Sequence, residues 1–167
     1  GTDYACFASA SEDFYSLRNI SETGTQKLLF TKLPNRFWSF TSEYFCEPIS
    51  DAKKWRLVYE MIPEEFPIFV CESPIDAISL YELTHKSGIY TALGGLKANT
   101  LDWIIQINQI YHAGLRLKRK VFLAVDNDAA GDRFCKDFSY PRIKPQGKDW
   151  NEDLIKKRAE SAIDPAS

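Results

Sequence analysis

The alternation of apolar and polar positions divides this chain near residue 62. Beyond that point short apolar runs alternate with amphipathic stretches. IFV at 68–70, IYTAL at 89–93 and VFLAV at 121–125 read as strands, the last of them apolar throughout, as expected of a strand covered on both faces. Between them, 74–86 carries Ile75, Ile78, Leu80 and Leu83 at roughly helical spacing, and 100–113 does the same with Leu101, Ile104, Ile105 and Ile107. Further helices are expected at 129–138 and 151–160, with a short strand at 142–144. Strands alternating with helices imply a parallel sheet with right-handed crossovers.

Residues before 62 follow another pattern. FYSLRNI and KLLFTK are strand-like and split by the turn-prone SETGT, FWSFTSEYF is aromatic and extended, and 51–61 is expected to be helical. Pro63 and Pro67 bracket two glutamates at the seam. The expected organisation is a β-rich lead-in over 1–62, an α/β unit over 63–160 and a frayed tail over 161–167.

Composition narrows the partners. The 167 residues are 44% hydrophobic and 14% aromatic, enough for a real core and unlike a disordered chain. A formal net charge of -2 supplies no global basic field, so nucleic acid has to be met by a local rim around an acidic centre. Cys6, Cys46, Cys71 and Cys135 are scattered without a CxxC pair, and His85 and His112 stand apart from them, which argues against zinc and against a disulfide framework. A reducing cytoplasm is the expected compartment. No apolar run reaches the length of a membrane span and no signal peptide is visible. The chain begins at Gly1 without an initiator methionine, so a fragment of a longer protein is expected.

The candidate chemistry lies where two strands break into acids. FVCESPIDAISL places Glu72 and Asp76 after one strand, and VFLAVDNDAAG places Asp126 and Asp128 after another. Gathering carboxylates at the edge of a core is costly unless a cation offsets their repulsion and desolvation, and hard cations take oxygen ligands. In a parallel sheet both strand ends face one crevice. Two carboxylates and a third acid opposite them suit a magnesium ion, phosphate oxygens and a proton shuttle. Structural roles compete: Ser73, Pro74 and Asp76 fit the cap and first turn of a helix, and Asp128 fits the cap of the next. Gly94 and Gly95 mark either a turn or a loop passing close to phosphate. Arg18 and Lys148 are single cations, of a kind more often found on surfaces than on ligands, and RLKRK at 116–120 suits a solvated strand entry.

Taken in order, these motifs resemble the Toprim family of primases, topoisomerases, RecR-type repair proteins and nucleases. CESPIDAISL is similar to the primase segment that carries a glutamate after the first strand, with Ser73 in place of its usual glycine. AVDNDAAGDR is similar to the later D-x-D-x-A-G segment, TALGG stands where the family has a glycine-bearing loop, and PQGKDWNEDL resembles the late G-x-D-x-D segment with Asn151 in place of its second acid. The resemblance implies a Toprim, Rossmann-like parallel sheet flanked by helices, with Mg2+ (or Mn2+) held by Asp126 and Asp128 and Glu72 as general acid/base or further ligand. Asp76 and Asp149 supplement the metal site, and Gly94, Gly95, Arg18 and Lys148 are the candidate phosphate or nucleic-acid contacts. It also implies a primase-type nucleotidyltransferase on single-stranded DNA, from a mobile-element or replication protein whose full length includes a helicase or zinc-binding domain. A Toprim nuclease and a non-catalytic DNA-binding module are the alternatives.

Overall fold

The computed structural model describes residues 3–8, 14–20, 27–31, 37–42, 62–110 and 119–163. The turn expected at 21–25, the helix at 51–61 and any helical continuation past 110 lie outside the described residues.

The described residues form two sheets. Strands β1 (Tyr4–Ala8), β2 (Phe14–Asn19) and β3 (Lys27–Thr31) make an antiparallel meander in the order β1-β2-β3, so FYSLRNI and KLLFTK pair as their alternation predicts. The larger sheet runs β4-β6-β5-β7, from strands β4 (Trp38–Thr41), β5 (Ile68–Cys71), β6 (Ile89–Ala92) and β7 (Val121–Leu123). Its centre is parallel, β5 pairing with β6 and with β7, while β4 joins β6 antiparallel. A strand from the aromatic stretch of the lead-in thus closes one edge of the α/β sheet. The two sheets meet there: Trp38 donates its indole N–H to the Ala8 carbonyl (3.0 Å), and Phe7 packs edge-on against Trp38.

Alternation along each strand assigns the two faces. Ile68 and Val70, Ile89, and Val121, Leu123 and Val125 face one core together with Leu101, Ile104 and Ile105 of helix α2 (Ala98–Ile110) and Phe134 of helix α3 (Ala129–Lys136). Phe69 and Cys71, Tyr90, and Ala124 face the other, with Ala77 and Leu80 of helix α1 (Pro74–Thr84) and Trp150 of helix α4 (Trp150–Ile163). Burying each large apolar side chain contributes roughly 1.5–3 kcal/mol, and here both sheet faces are covered by helices. The strands therefore read as unbroken apolar runs.

On the second face the rings stack across the whole sheet. Phe40 lies on Tyr90 (5.0 Å, 13°), Tyr90 on Phe69 (4.9 Å, 28°) and Phe69 on Phe122 (5.6 Å, 21°). Each pair is a direct cross-strand partner, so the row holds the register of all four strands.

Three expectations change. The segment 142–144 forms no strand; Arg142 makes a single bridge to Leu123, through Leu123 N–H to the Pro141 carbonyl and Ile143 N–H to the Leu123 carbonyl. Pro141 and Pro145 lack the N–H that a longer ladder needs on either side. Arg119 of the basic run is buried rather than solvated: its guanidinium donates to the carbonyls of Ile62, Pro63 and Phe66, tying the seam residues to the entry of β7. Helix α1 buries Ala77, Ser79 and Leu80 more fully than Ile75, Ile78 or Leu83, because small residues let it lie between the sheet and α4.

Candidate functional site

The register of β5 and β7 sets where the acids stand. Val70 is level with Leu123 on the parallel neighbour, so Glu72 and Asp126 emerge two and three residues beyond one common level. At about 3.3 Å per residue this places both at the same end of the sheet, the end where parallel α/β sheets carry their sites. Asp76 enters from the first turn of α1 and is only 4% exposed. The fully buried Cys71 thiol reports the convergence: burial pushes it well above the ordinary thiol range, and the negative fields of Asp76 and then Asp126 push it further.

Each acid is also held locally. Ser73 is the N-cap of α1, accepting from the Asp76 amide, with Pro74 opening the helix as the sequence predicts. Its hydroxyl in turn donates to the Asp76 carboxylate in a short hydrogen bond. Glu72 is fixed through its backbone, whose carbonyl accepts both the Gly94 (2.9 Å) and Gly95 (3.1 Å) amides. Those glycines adopt φ of 68° and 104°, conformations that favour residues without a Cβ. The glycine loop is therefore a bracket for Glu72, its two amides already engaged. Asp128 caps α3, accepting from the Gly131 amide through Oδ1 (2.8 Å).

The late loop is docked onto the acidic one. Asn127 receives Lys148 with its backbone N–H (Lys148 carbonyl, 2.7 Å) and donates its side-chain amide to the carbonyls of Pro145 and Gly147 (3.3 Å each). The amides of Gln146 and Gly147 donate to Asp153, that of Lys148 to Glu152, and Asp149 Oδ1 accepts from the Glu152 amide. Asp149 is thus a cap for α4 beside the acidic loop, and Lys148 is brought there with its side chain exposed. Trp150 anchors the junction by donating to the Ala124 carbonyl (2.8 Å). Arg18 is not gathered with these residues: it is half-buried on β2, in the sheet that meets the larger one at β4, the edge opposite β7.

Residues that sequence reasoning passed over complete the site. Arg142 donates through Nη2 to the Asp126 carbonyl (2.8 Å) and through Nη1 to Asp132, which Lys144 also meets at 2.7 Å. These cations hold the Asp132 carboxyl below the usual carboxylate range, Lys144 more than Arg142. Gly131 makes room for that arrangement, since a Cβ there falls 2.1 Å from the Asp126 carbonyl oxygen. Its signal was present in the D-x-D-x-A-G spelling; Arg142 and Asn127 had none.

Among the described residues no group of three His, Cys, Asp or Glu side chains forms a ready-made metal cage. The donor set is nonetheless hard: Glu72, Asp126 and Asp128 offer carboxylate oxygens, while the Cys71 side chain is fully buried in the core of the aromatic face. That set fits a magnesium-type ion, which takes one or two carboxylates, keeps several waters and completes its shell with phosphate. Among the described residues no helix is long and apolar enough to cross a membrane.

Against known proteins, residues 69–154 match the Toprim-like family, about half of the chain and every acid described above. The chain belongs to the Toprim-like family. Its fold is similar to that of a primase-domain chain in a bacteriophage T7 complex, described as the lagging-strand DNA polymerase interacting with primase domains of two gp4 subunits bound to an RNA/DNA hybrid and dTTP. That likeness has a TM-score of 0.53 at 16% identity and covers 97% of this chain and 74% of the other. No curated protein matches.

Proposed function

We propose that this chain is the Toprim part of a primase-type nucleotidyltransferase that joins nucleotides on single-stranded DNA, within a replication or mobile-element protein. The observation that carries this reading is the emergence of Glu72 and Asp126 at the same end of adjacent parallel strands, with the late loop docked beside them. The breadth of the fold likeness to a primase domain, lead-in strands included, favours priming over other Toprim chemistries.

In this reading Asp126 and the remaining oxygen of Asp128 hold Mg2+ or Mn2+, and Glu72 takes the proton from the attacking hydroxyl. The bound ion supplies charge neutralisation of the phosphates and of the developing negative charge. Glu72 suits a proton-transfer role because its backbone is bracketed by two glycine amides and the residue stays half-buried at the end of β5. Asp76 adds negative field from a buried position and Asp149 borders the site as a cap. Lys148, exposed on the docked loop, meets a nucleotide or template phosphate, whereas Gly94 and Gly95 act through Glu72 rather than on phosphate directly. Arg18 belongs to a more distant template contact on the lead-in sheet.

The test is a Mg2+ or Mn2+ titration of the full chain with labelled single-stranded DNA and nucleotides, comparing wild type with Glu72→Gln and Asp126→Asn. New template-dependent oligonucleotides, reduced at least about a hundredfold in both variants, are expected. Shortened substrate instead of new strands points to a nuclease. DNA binding without either product sinks both enzymatic readings.

A further inference from the structure

We infer that Arg142 and Asn127 are positioning residues that clamp the acidic loop from two sides, and that metal affinity at Asp126 and Asp128 depends on them. The inference rests on the metal reading above and extends it to residues that touch neither substrate nor ion. The loop 126–128 begins three residues past the end of β7 and has no ladder of its own among the described residues. Two carboxylates two residues apart serve one ion only if the turn between them is held, and two anchors do so. On one side the Arg142 guanidinium, whose side chain is 13% exposed, grips the Asp126 carbonyl at 2.8 Å, sixteen residues away in sequence. Gly131 lets that carbonyl approach α3, and Asp128 Oδ1 returns from the far end of the loop to the Gly131 amide. On the other side Asn127, between the two acids, is bound to Pro145, Gly147 and Lys148 of a loop that α4 itself immobilises through Glu152 and Asp153.

Arg142 also has a duller role, its ion pair with Asp132. That pair separates the two explanations, because the Asp132 carboxylate, 46% exposed, bonds to Arg142 and Lys144, whereas Asp132 meets the acidic loop through its backbone amide at the Asp128 carbonyl, a bond that a side-chain change leaves in place. If Arg142 mattered solely as half of a surface ion pair, removing Asp132 would do the same damage. If it positions Asp126, removing Asp132 leaves the bond to the Asp126 carbonyl in place.

The experiment measures Mn2+ affinity of the full chain by the electron paramagnetic resonance of free Mn2+, without substrate. Alongside it, hydrogen exchange of the Gly131 and Asn127 amides is followed in the same proteins. Arg142→Gln and Asn127→Ala are each expected to weaken Mn2+ binding about tenfold or more, as loss of groups that orient metal ligands does elsewhere. Both should speed exchange at those amides, and Asp132→Asn should stay within about twofold of wild type on both readouts. Arg142→Gln and Asn127→Ala proteins that fold and bind Mn2+ like wild type overturn the clamp. So does an Asp132→Asn protein as impaired as Arg142→Gln. Wild type that takes up no Mn2+ overturns the metal reading itself, an outcome distinct from variants that merely match a metal-binding wild type.

Discussion

Gly131 shows how one missing methyl group can shape a site. An added Cβ lies 2.1 Å from the Asp126 carbonyl oxygen and 3.2 Å from Arg142 Nη2, and the first of these is backbone that cannot rotate away. Gly131→Ala is therefore expected to cost about 1–3 kcal/mol, the usual range for forcing atoms into filled space. The check is a fall in the urea midpoint at unchanged slope; a midpoint equal to wild type contradicts the packing described. At this scale the sequence was legible where chemistry is written in residue type. Carboxylates after apolar strands, the Ser73-Pro74 helix start and the glycine of the acidic motif all stood out, and for Ser73 with Asp76 and Asp128 with Gly131 the partner lies three residues away. Arg142 and Arg119 were not legible, because their partners lie sixteen and more than fifty residues away. A basic side chain followed by polar neighbours looks the same whether it is solvated or binds buried carbonyls.

At the scale of elements, β5 and β6 each bury a titratable group in the aromatic face of the sheet. Burial raises Cys71, next to the acids, and raises Tyr90 from 10.0 to about 12. Both shifts favour the neutral form in the folded state, so their contribution to stability is complete below the unfolded values. It is lost as the solution becomes alkaline: from about pH 9 for Cys71 and between 10 and 12 for Tyr90. Urea unfolding from pH 7 upward should show stability falling through this window, and Tyr90→Phe should flatten the part above pH 10. An equally steep decline in that variant contradicts the assignment. Strands and helices with a strong period were found where the pattern placed them, and their ends were not. The first helix stops at Thr84 because His85 adopts a left-handed φ of 48° and returns its amide to Tyr81, a cap that apolar spacing does not encode. The expected strand at 142–144 shrank to one bridge for want of proline N–H groups.

Over the whole molecule, the lead-in and the α/β unit share a sheet, since β4 comes from the aromatic segment before the seam. Sequence alternation could identify β4 as extended but could not say which sheet it joins, because partner choice is written in tertiary contacts such as the Phe40–Tyr90–Phe69–Phe122 stack. The central claim is that one crevice, at the carboxyl ends of β5 and β7, gathers Glu72, the acidic loop and the docked late loop around a single hard cation. Paramagnetic broadening by substoichiometric Mn2+ in the amide spectrum tests it most directly, because broadening falls off steeply with distance from the ion. The amides of 72–73, 94–95, 126–128 and 147–149 are expected to broaden together, and Asp126→Asn to abolish the pattern. Broadening confined to the exposed acids of α4, or spread without preference and unaffected by Asp126→Asn, would contradict it.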